Sequence, residues 1–204
     1  MAQVERENAP GELETVRALL NTWLIPNDTR LPVDLLPGLR RDPRSWRAQL
    51  PLLGRPRDRA ALQALTELRD GLRRMVGNDQ PAARDIRWLQ SQLRRHPVTV
   101  SVRAGPDGPQ VVLGGPGRQP AGHCVLAAVL DAVQTGRWQR LKACPDCGWV
   151  FFDHTRSATK RWCGMTAVGP RGRGCGSIAK VRAYRARQSG QLAAGAGSRM
   201  TSVP

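Results

Sequence analysis

Residues 144–175 read CPDCGWVFFDHTRSATKRWCGMTAVGPRGRGC and contain four of the five cysteines in the 204-residue chain. Two residues separate Cys144 from Cys147, so one tight turn can direct both thiolates at the same ion. Cys163 follows after fifteen further residues and Cys175 after eleven more, and both can return to that ion. The spacing predicts a four-cysteine metal site, and zinc is the expected occupant because it favours tetrahedral thiolate ligation.

Other arrangements of these cysteines stay open from the sequence alone. They could form two disulfides or a redox pair, but the sequence shows no signal peptide or transmembrane run, and a reducing compartment favours metal over disulfides. An iron–sulfur cluster is a further alternative, and His154 could replace one cysteine as a ligand. Four cysteines would complete the coordination sphere and leave no position for water or substrate. We therefore expect one structural zinc ion and no catalytic metal.

The residues around the cysteines form a further pattern of aromatic, basic and glycine positions at fixed distances from the ligands. They are Trp138, Leu141, Lys142, Cys144, Pro145, Cys147, Gly148, Trp149, Phe151, Asp153, Arg156, Arg161, Trp162, Cys163, Met165, Cys175, Gly176 and residues 179–182. With this pattern the chain resembles the CGNR zinc-finger family. The resemblance implies a stress-related transcription regulator, and in that family the finger is taken to bind DNA.

The N-terminal part of the chain is similar to the ABATE domain, which usually precedes this finger. The similarity lies in a leucine-rich first helix with Asn21 and Thr22, and in a short hairpin and a helix before the finger. Together the two resemblances cover about residues 12–188. An asparagine within a helix most often bonds to nearby backbone, so we expect this of Asn21, with a place in a ligand pocket as the alternative.

Two features of the finger depart from the family pattern. Ser177 and Ile178 stand where the family has asparagine and arginine, so an amide and a guanidinium are missing. The interval between Cys163 and Cys175 exceeds the family's usual four residues, and the Gly/Arg/Pro segment 169–174 accounts for most of the extra length. A flexible cationic loop of this kind can bulge outward and still let the fourth cysteine return to the metal.

Hydrophobic periodicity predicts an α+β chain with a mainly α-helical N-terminal domain. Apolar residues at helical spacing occur in residues 13–24, 62–76 and 86–93 and predict helices there. Two valine-rich segments, one on each side of residues 105–109, predict a short β-hairpin. Three prolines in residues 26–40 predict an extended linker. An apolar helix over residues 121–135 contains Cys124, which we assign to core packing and not to the metal site.

These patterns divide the chain into a flexible N-terminus (residues 1–10), a helical ABATE-like domain (11–136), the zinc finger (137–188) and a disordered tail (189–204). The finger is expected to contain a short strand over residues 149–152 and a basic C-terminal helix over residues 177–188. Its aromatic side chains, with Trp162, are expected to form a small apolar core, and stacking on nucleic-acid bases is the alternative.

The chain has a strongly basic composition, which favours polyanionic partners. Its 32 Lys and Arg residues against 16 Asp and Glu residues give a formal net charge of +16. Residues 141–187 contain ten of the cations and two of the carboxylates, so charge is densest in the finger. Solvated arginine-rich surfaces without a partner are the alternative. The residues expected to contact nucleic acid are Arg156, Lys160, Arg161, Arg171, Arg173, Lys180, Arg182, Arg185 and Arg187.

These observations favour a zinc-binding, DNA-binding transcription regulator of the cytoplasm, whose N-terminal domain senses a ligand or mediates homodimerisation. RNA binding, or docking of the finger on an acidic protein partner, is the alternative. We expect no membrane association. We also expect no enzymatic activity and assign no catalytic residue, because the sequence shows no paired carboxylates, activated nucleophile or phosphate-binding loop. The sequence names no ligand-contacting residue in the N-terminal domain.

Overall fold

A computed structural model of the protein describes residues 8–77, 81–106, 108–114, 120–164 and 174–197. Within these residues, the chain forms α-helices and three separate two-stranded antiparallel sheets, which confirms the expected α+β architecture. The helices are α1 (Leu13–Leu20), α2 (Leu36–Arg41), α3 (Pro43–Gln49), α4 (Arg59–Met75), α5 (Ala83–Arg95), α6 (Ala121–Gln134) and α7 (Cys175–Gly197). The strand pairs are β1 (Trp23–Leu24) with β2 (Val33–Asp34), β3 (Val100–Gly105) with β4 (Gly108–Leu113), and β5 (Leu141–Ala143) with β6 (Val150–Phe152).

Helix α4 forms one side of the N-terminal core. Its apolar stripe is buried as the periodicity predicts, with Leu65, Leu68, Leu72 and Met75 facing inward. The carboxylate of Asp58 accepts a hydrogen bond of 2.7 Å from the backbone of the first turn and so caps the helix. Helix α4 packs against α1, α5 and α6, and α1 also packs against α6. The core of the N-terminal part is therefore a cluster of helices in which α1, α4 and α6 pack against one another.

The segment over residues 26–40 is more ordered than an extended linker, so that expectation was wrong. Strand β2 and all but the last residue of helix α2 lie within it, and β2 pairs with β1. The side chain of Arg69, which is 1% exposed, donates hydrogen bonds of 2.5 and 3.0 Å to the two carboxylate oxygens of Asp34. Arg69 also donates to the Thr22 hydroxyl at 3.2 Å. This buried cation comes from α4, so the local sequence of the segment could not indicate it.

One hydrophobic core joins these helices to the cysteine-rich segment. Trp138, Leu141, Val150 and Phe152 belong to the same cluster of buried side chains as residues of α1, α4 and α6. Successive side chains of β6 point to opposite faces, so Val150 and Phe152 pack against the helices while Phe151 packs among the cysteines. Strand β6 thus holds the metal-binding segment directly against the helical core.

Helix α7 begins at Cys175 and ends at Gly197, whereas the sequence predicted a helix over residues 177–188. Residues 189–197, expected to be part of a disordered tail, continue the helix. Residues 198–204 lie outside the described residues. Among the described helices, none has the length and apolar character that crossing a bilayer requires.

Candidate metal centre

The first two cysteines lie on the tight turn between β5 and β6. The Gly148 amide donates a hydrogen bond of 2.8 Å to the Cys144 carbonyl, and the Cys144 amide donates one of 2.9 Å to the Trp149 carbonyl. Gly148 has a φ of +68°, in the left-handed region that residues with a side chain rarely adopt. The turn brings the Sγ atoms of Cys144 and Cys147 within 4.8 Å of each other, as their spacing predicts.

The other two cysteines come from segments that are tied together by backbone. Cys175 is the first residue of α7 and is fully buried. The amide of Gly176 donates a hydrogen bond of 2.9 Å to the carbonyl of Gly164, which fixes the start of the helix beside Cys163. The lengthened interval between these cysteines therefore does not keep them apart. Its residues 165–173 lie outside the described residues.

The four sulfur atoms have the spacing that one tetrahedrally coordinated ion requires. All four Sγ atoms lie within 4.8 Å of one another, and the Sγ atom of Cys163 is 3.7 Å from those of Cys147 and Cys175. At the zinc–sulfur distance of about 2.3 Å, tetrahedral geometry places thiolate sulfurs about 3.8 Å apart. A disulfide requires sulfurs at about 2.0 Å, so these cysteines are not bridged. The prediction of a four-cysteine site for a single metal ion is confirmed.

The crowding of the thiols explains why this site needs a cation. Hydrogen bonds from Cys147 and Cys163 lower the pKa of Cys144. The hydrogen bond with Cys144 raises the pKa of Cys147 and of Cys163, and burial raises the pKa of Cys175. Four thiolates share this space only when a positive ion compensates their charge. Zinc supplies two positive charges and stabilises the deprotonated form of each ligand.

His154, the alternative ligand, and Cys124, the fifth cysteine, both lie outside the site. His154 Nε2 is 2.8 Å from the carbonyl oxygen of Asn8, and its ring packs edge-on against Phe152 with centroids 4.8 Å apart. The alternative that His154 replaces a cysteine was therefore wrong. Cys124 lies in α6 and packs against the hydrophobic core, as its apolar neighbours predict.

Asp153 organises the loop that leads from β6 towards Cys163. Its buried carboxylate accepts hydrogen bonds from Lys142 Nζ (3.0 Å), from the Thr155 amide and hydroxyl (3.0 and 2.6 Å) and from the Lys160 amide (2.8 Å). Burial by itself raises the pKa of Asp153, but the hydrogen bonds from Thr155 and Lys142 outweigh burial and hold that pKa at about 2. The sequence showed Asp153 only as one position of the family pattern, and its supporting role was missed.

Polar contacts fix the metal-binding turn to the helices, and sequence analysis missed them. Asn21, at the C-terminus of α1, bonds to both the amide and the carbonyl of Val150, each at 2.8 Å. The expectation that Asn21 bonds to nearby backbone was wrong, because its partner strand is 129 residues away in the chain. Arg73 of α4 donates hydrogen bonds of 2.9 Å to the Gly148 carbonyl and 2.7 Å to the Leu20 carbonyl. Burial and the nearby Arg69 lower the pKa of Arg73 to about 10, so it stays charged at neutral pH.

The apolar residues of the finger divide between two places. Phe151 is fully buried among the cysteines, with Trp149 and Trp162 partly buried around it. Val150 and Phe152 instead belong to the helical core. Strand β6 confirms the predicted strand. The small apolar core of the finger contains fewer aromatic residues than expected, because alternate side chains of β6 face the helices.

The basic residues predicted to contact nucleic acid lie in two groups. Beside the metal centre, Lys160 Nζ lies 4.8 Å from the centre of the Phe151 ring, the Arg161 guanidinium lies 5.2 Å from the Trp162 ring, and Arg156 is exposed. The second group lies on α7, and its members are all exposed: Lys180, Arg182, Arg185 and Arg187. Arg171 and Arg173 lie outside the described residues.

The departure from the family tetrad lies in the first turn of α7. Ser177 is exposed and Ile178 is partly buried, so the chain has an apolar side chain against the protein where the family has a guanidinium. Neither residue replaces a metal ligand, because the cysteine that precedes them supplies the sulfur. The departure therefore leaves the four-cysteine site intact.

Comparison with known families agrees with this geometry. The sequence model of the CGNR zinc finger matches residues 140–188, which include all four cysteines and α7 as far as residue 188. Comparison with curated proteins found no match. The family match and the sulfur geometry together show a zinc finger with four cysteine ligands for one structural zinc ion. The similarity of the N-terminal part to an ABATE domain stays an expectation from the sequence.

Proposed function

We propose that the protein binds duplex DNA through its zinc finger and helix α7, and that it acts as a transcription regulator. The zinc ion is structural in this proposal, because four cysteines fill its coordination sphere. The family resemblance supports the regulatory role, and the N-terminal helices would sense a ligand or mediate dimerisation. The charge on α7 is the observation that carries the proposal.

Helix α7 presents a cationic surface over residues 180–189 that contains no carboxylate of its own. Every residue from 180 to 189 is exposed, and this segment contains four cations and no acidic residue. Residues 180–189 bury no face against the described part of the protein, so this segment lacks the tertiary packing that stabilises most helices. Duplex DNA supplies phosphate groups as partners for the guanidinium groups, and its major groove is wide enough to hold a helix. Duplex DNA therefore complements α7 in shape and in charge.

The metal centre determines where this helix points. Cys175 is both a metal ligand and the first residue of α7. The Arg182 guanidinium donates a hydrogen bond of 3.2 Å to the Asp146 carboxylate, which lies on the turn between the first two ligands. Loss of zinc would release the helix from this turn. Binding of nucleic acid should therefore depend on zinc although the ion contacts no phosphate.

Binding of the zinc-loaded, full-length protein to a fluorescent duplex of arbitrary sequence tests the proposal. Phosphate contacts release counterions, so log affinity should fall linearly with log salt, with a slope of roughly −0.9 for each phosphate contacted. Single-stranded RNA and duplex RNA of the same sequence serve as parallel ligands. Tighter binding to either RNA would favour the RNA alternative, and no binding to duplex DNA at low salt would reject the proposal.

Docking on an acidic protein is the second candidate, and two exposed apolar residues of α7 favour it. Val181 and Tyr184 are 48% and 57% exposed and lie one helical turn apart. An apolar pair among cations fits an acidic groove with an apolar floor. Val181→Ser combined with Tyr184→Ser should remove most of the affinity for such a partner, whereas it should leave the salt dependence of duplex binding unchanged.

A further inference from the structure

A cavity of about 830 Å³ lies in the N-terminal part, among α3, α4, the loop between them and the start of α6. Its floor is apolar, because the buried side chains of Trp46, Leu53, Leu65 and Leu68 line it. Sites of about 300–1,000 Å³ with mainly apolar linings are typical of those that hold small organic molecules. The size and the floor of this cavity therefore suit a small molecule with an apolar body.

The wall formed by residues 51–57 is held in place before any ligand arrives. The Trp46 indole nitrogen donates a hydrogen bond of 2.8 Å to the Leu53 carbonyl, so the one polar atom of the indole is satisfied inside the wall. Arg40 donates to the carbonyl of Pro56 at 3.2 Å. A wall fixed in this way loses little conformational entropy when a ligand binds.

The rim of the cavity is cationic. Arg47, Arg55 and Arg57 line it and are exposed. Asp58 is the carboxylate among the described lining residues, and as the cap of α4 it already accepts a hydrogen bond from the amide of Ala61. Guanidinium groups favour carboxylates because their paired N–H donors match the two oxygens. An anionic group placed at this rim would leave the rest of the ligand over the apolar floor.

We propose that this cavity binds a small organic anion, with one carboxylate at the arginine rim and an apolar body over Trp46 and Leu68. A bare inorganic anion would leave the floor without a partner, and an uncharged apolar molecule would leave the rim without one. The proposal gives a site and a ligand class to the proposed sensing role of the N-terminal helices. It is independent of DNA binding, since the ligand can be measured on the protein alone.

Calorimetric titration of the zinc-loaded, full-length protein with octanoate, 1-octanol and inorganic phosphate tests the proposal. Octanoate should bind saturably with one site per chain and about tenfold more tightly than 1-octanol, since only octanoate engages the rim. Phosphate should neither bind saturably nor compete. Absence of saturable octanoate binding, or equal affinities for octanoate and 1-octanol, would overturn the proposal.

Three variants locate the binding. Arg47→Ala combined with Arg57→Ala should weaken octanoate about tenfold and leave 1-octanol unchanged. Ala64→Trp places a large side chain at an exposed position of the cavity wall and should weaken both ligands. Arg84→Ala combined with Arg87→Ala removes the same charge from exposed positions of α5 and should change neither. Equal octanoate affinities in the two double-arginine variants would overturn the proposal even if the tryptophan variant failed to fold.

Discussion

Asn21 forms with Val150 the pair of hydrogen bonds that a neighbouring β-strand would otherwise supply. Its Oδ1 atom accepts from the Val150 amide and its Nδ2 atom donates to the Val150 carbonyl, both at 2.8 Å and both buried. Val150 follows the turn that holds the first two zinc ligands, and Asn21 ends the first helix. One side chain thus couples the metal centre to the helical core.

Replacement of Asn21 should therefore destabilise the whole protein. Asn21→Ala leaves the buried amide of Val150 without a partner and leaves the Val150 carbonyl only the 3.4 Å hydrogen bond from Arg17, so it should lower the free energy of unfolding by about 1–3 kcal/mol. Urea unfolding of the zinc-loaded protein measures the change. The control Gln63→Ala removes an exposed side chain from α4. It should change the free energy of unfolding by less than about 0.5 kcal/mol. Equal stability of the two variants would contradict the coupling.

Gly148 is required for the turn, and its replacement should be costly. It has a φ of +68°, and an added Cβ atom would lie 3.0 Å from the Trp23 ring and 3.3 Å from the Arg73 guanidinium. Gly148→Ala should lower the free energy of unfolding by about 1–3 kcal/mol. Gly38→Ala is the matched control, because nothing lies within 4 Å of its added Cβ atom and it lies inside α2. Thermal melts should show that the control is as stable as the original protein or more stable.

Removal of one zinc ligand should release the metal and disorder the finger. Structural zinc contributes on the order of 10 kcal/mol to the folding of isolated finger peptides, so Cys175→Ser should reduce the bound zinc from one ion per chain towards none after treatment with a chelator. Elemental analysis and circular dichroism report the metal and the helicity of α7. Cys124→Ser removes a cysteine that packs in the core and should retain the zinc. Unchanged zinc in Cys175→Ser would remove that residue from the ligand set.

Asp153→Asn should destabilise the loop that precedes Cys163, because the amide keeps one acceptor oxygen and places a donor against Thr155 or Lys142. We expect a loss of about 2–3 kcal/mol. The pKa of Asp153 is lowered to about 2, so its contribution is fully present above the unfolded pKa of about 3.9 and disappears only as pH falls towards 2. The difference in free energy of unfolding between the variant and the original protein should therefore be constant from about pH 5.5 to 8. If this free-energy difference became smaller within this pH range, the pKa of the Asp153 carboxyl would lie above about 2.

The sequence was informative where neighbouring residues determine structure. The spacing of Cys144 and Cys147 predicted their shared turn, and the leucine stripe of α4 predicted its buried face. Contacts between polar residues far apart in the chain were not predictable, because neither Asn21 nor Arg69 carries a local sign of a partner in another element. The same limit affected β6, whose aromatic run did not indicate that alternate residues face the helices. The boundary expected between residues 136 and 137 stays a prediction, and a chain ending at Gly136 would lack the Val150 partner of Asn21.

The salt dependence of duplex binding in matched arginine variants tests the proposed function most directly. Arg185→Ala combined with Arg187→Ala removes two exposed cations of α7 and spares the hydrogen bond between Arg182 and Asp146. This variant should bind every sequence more weakly, and the slope of log affinity against log salt should become shallower by up to about two units. Arg84→Ala combined with Arg87→Ala removes equal charge from α5 and should change neither quantity, provided that both variants retain one zinc ion. Equal slopes for the original protein and both variants would contradict binding of DNA through α7.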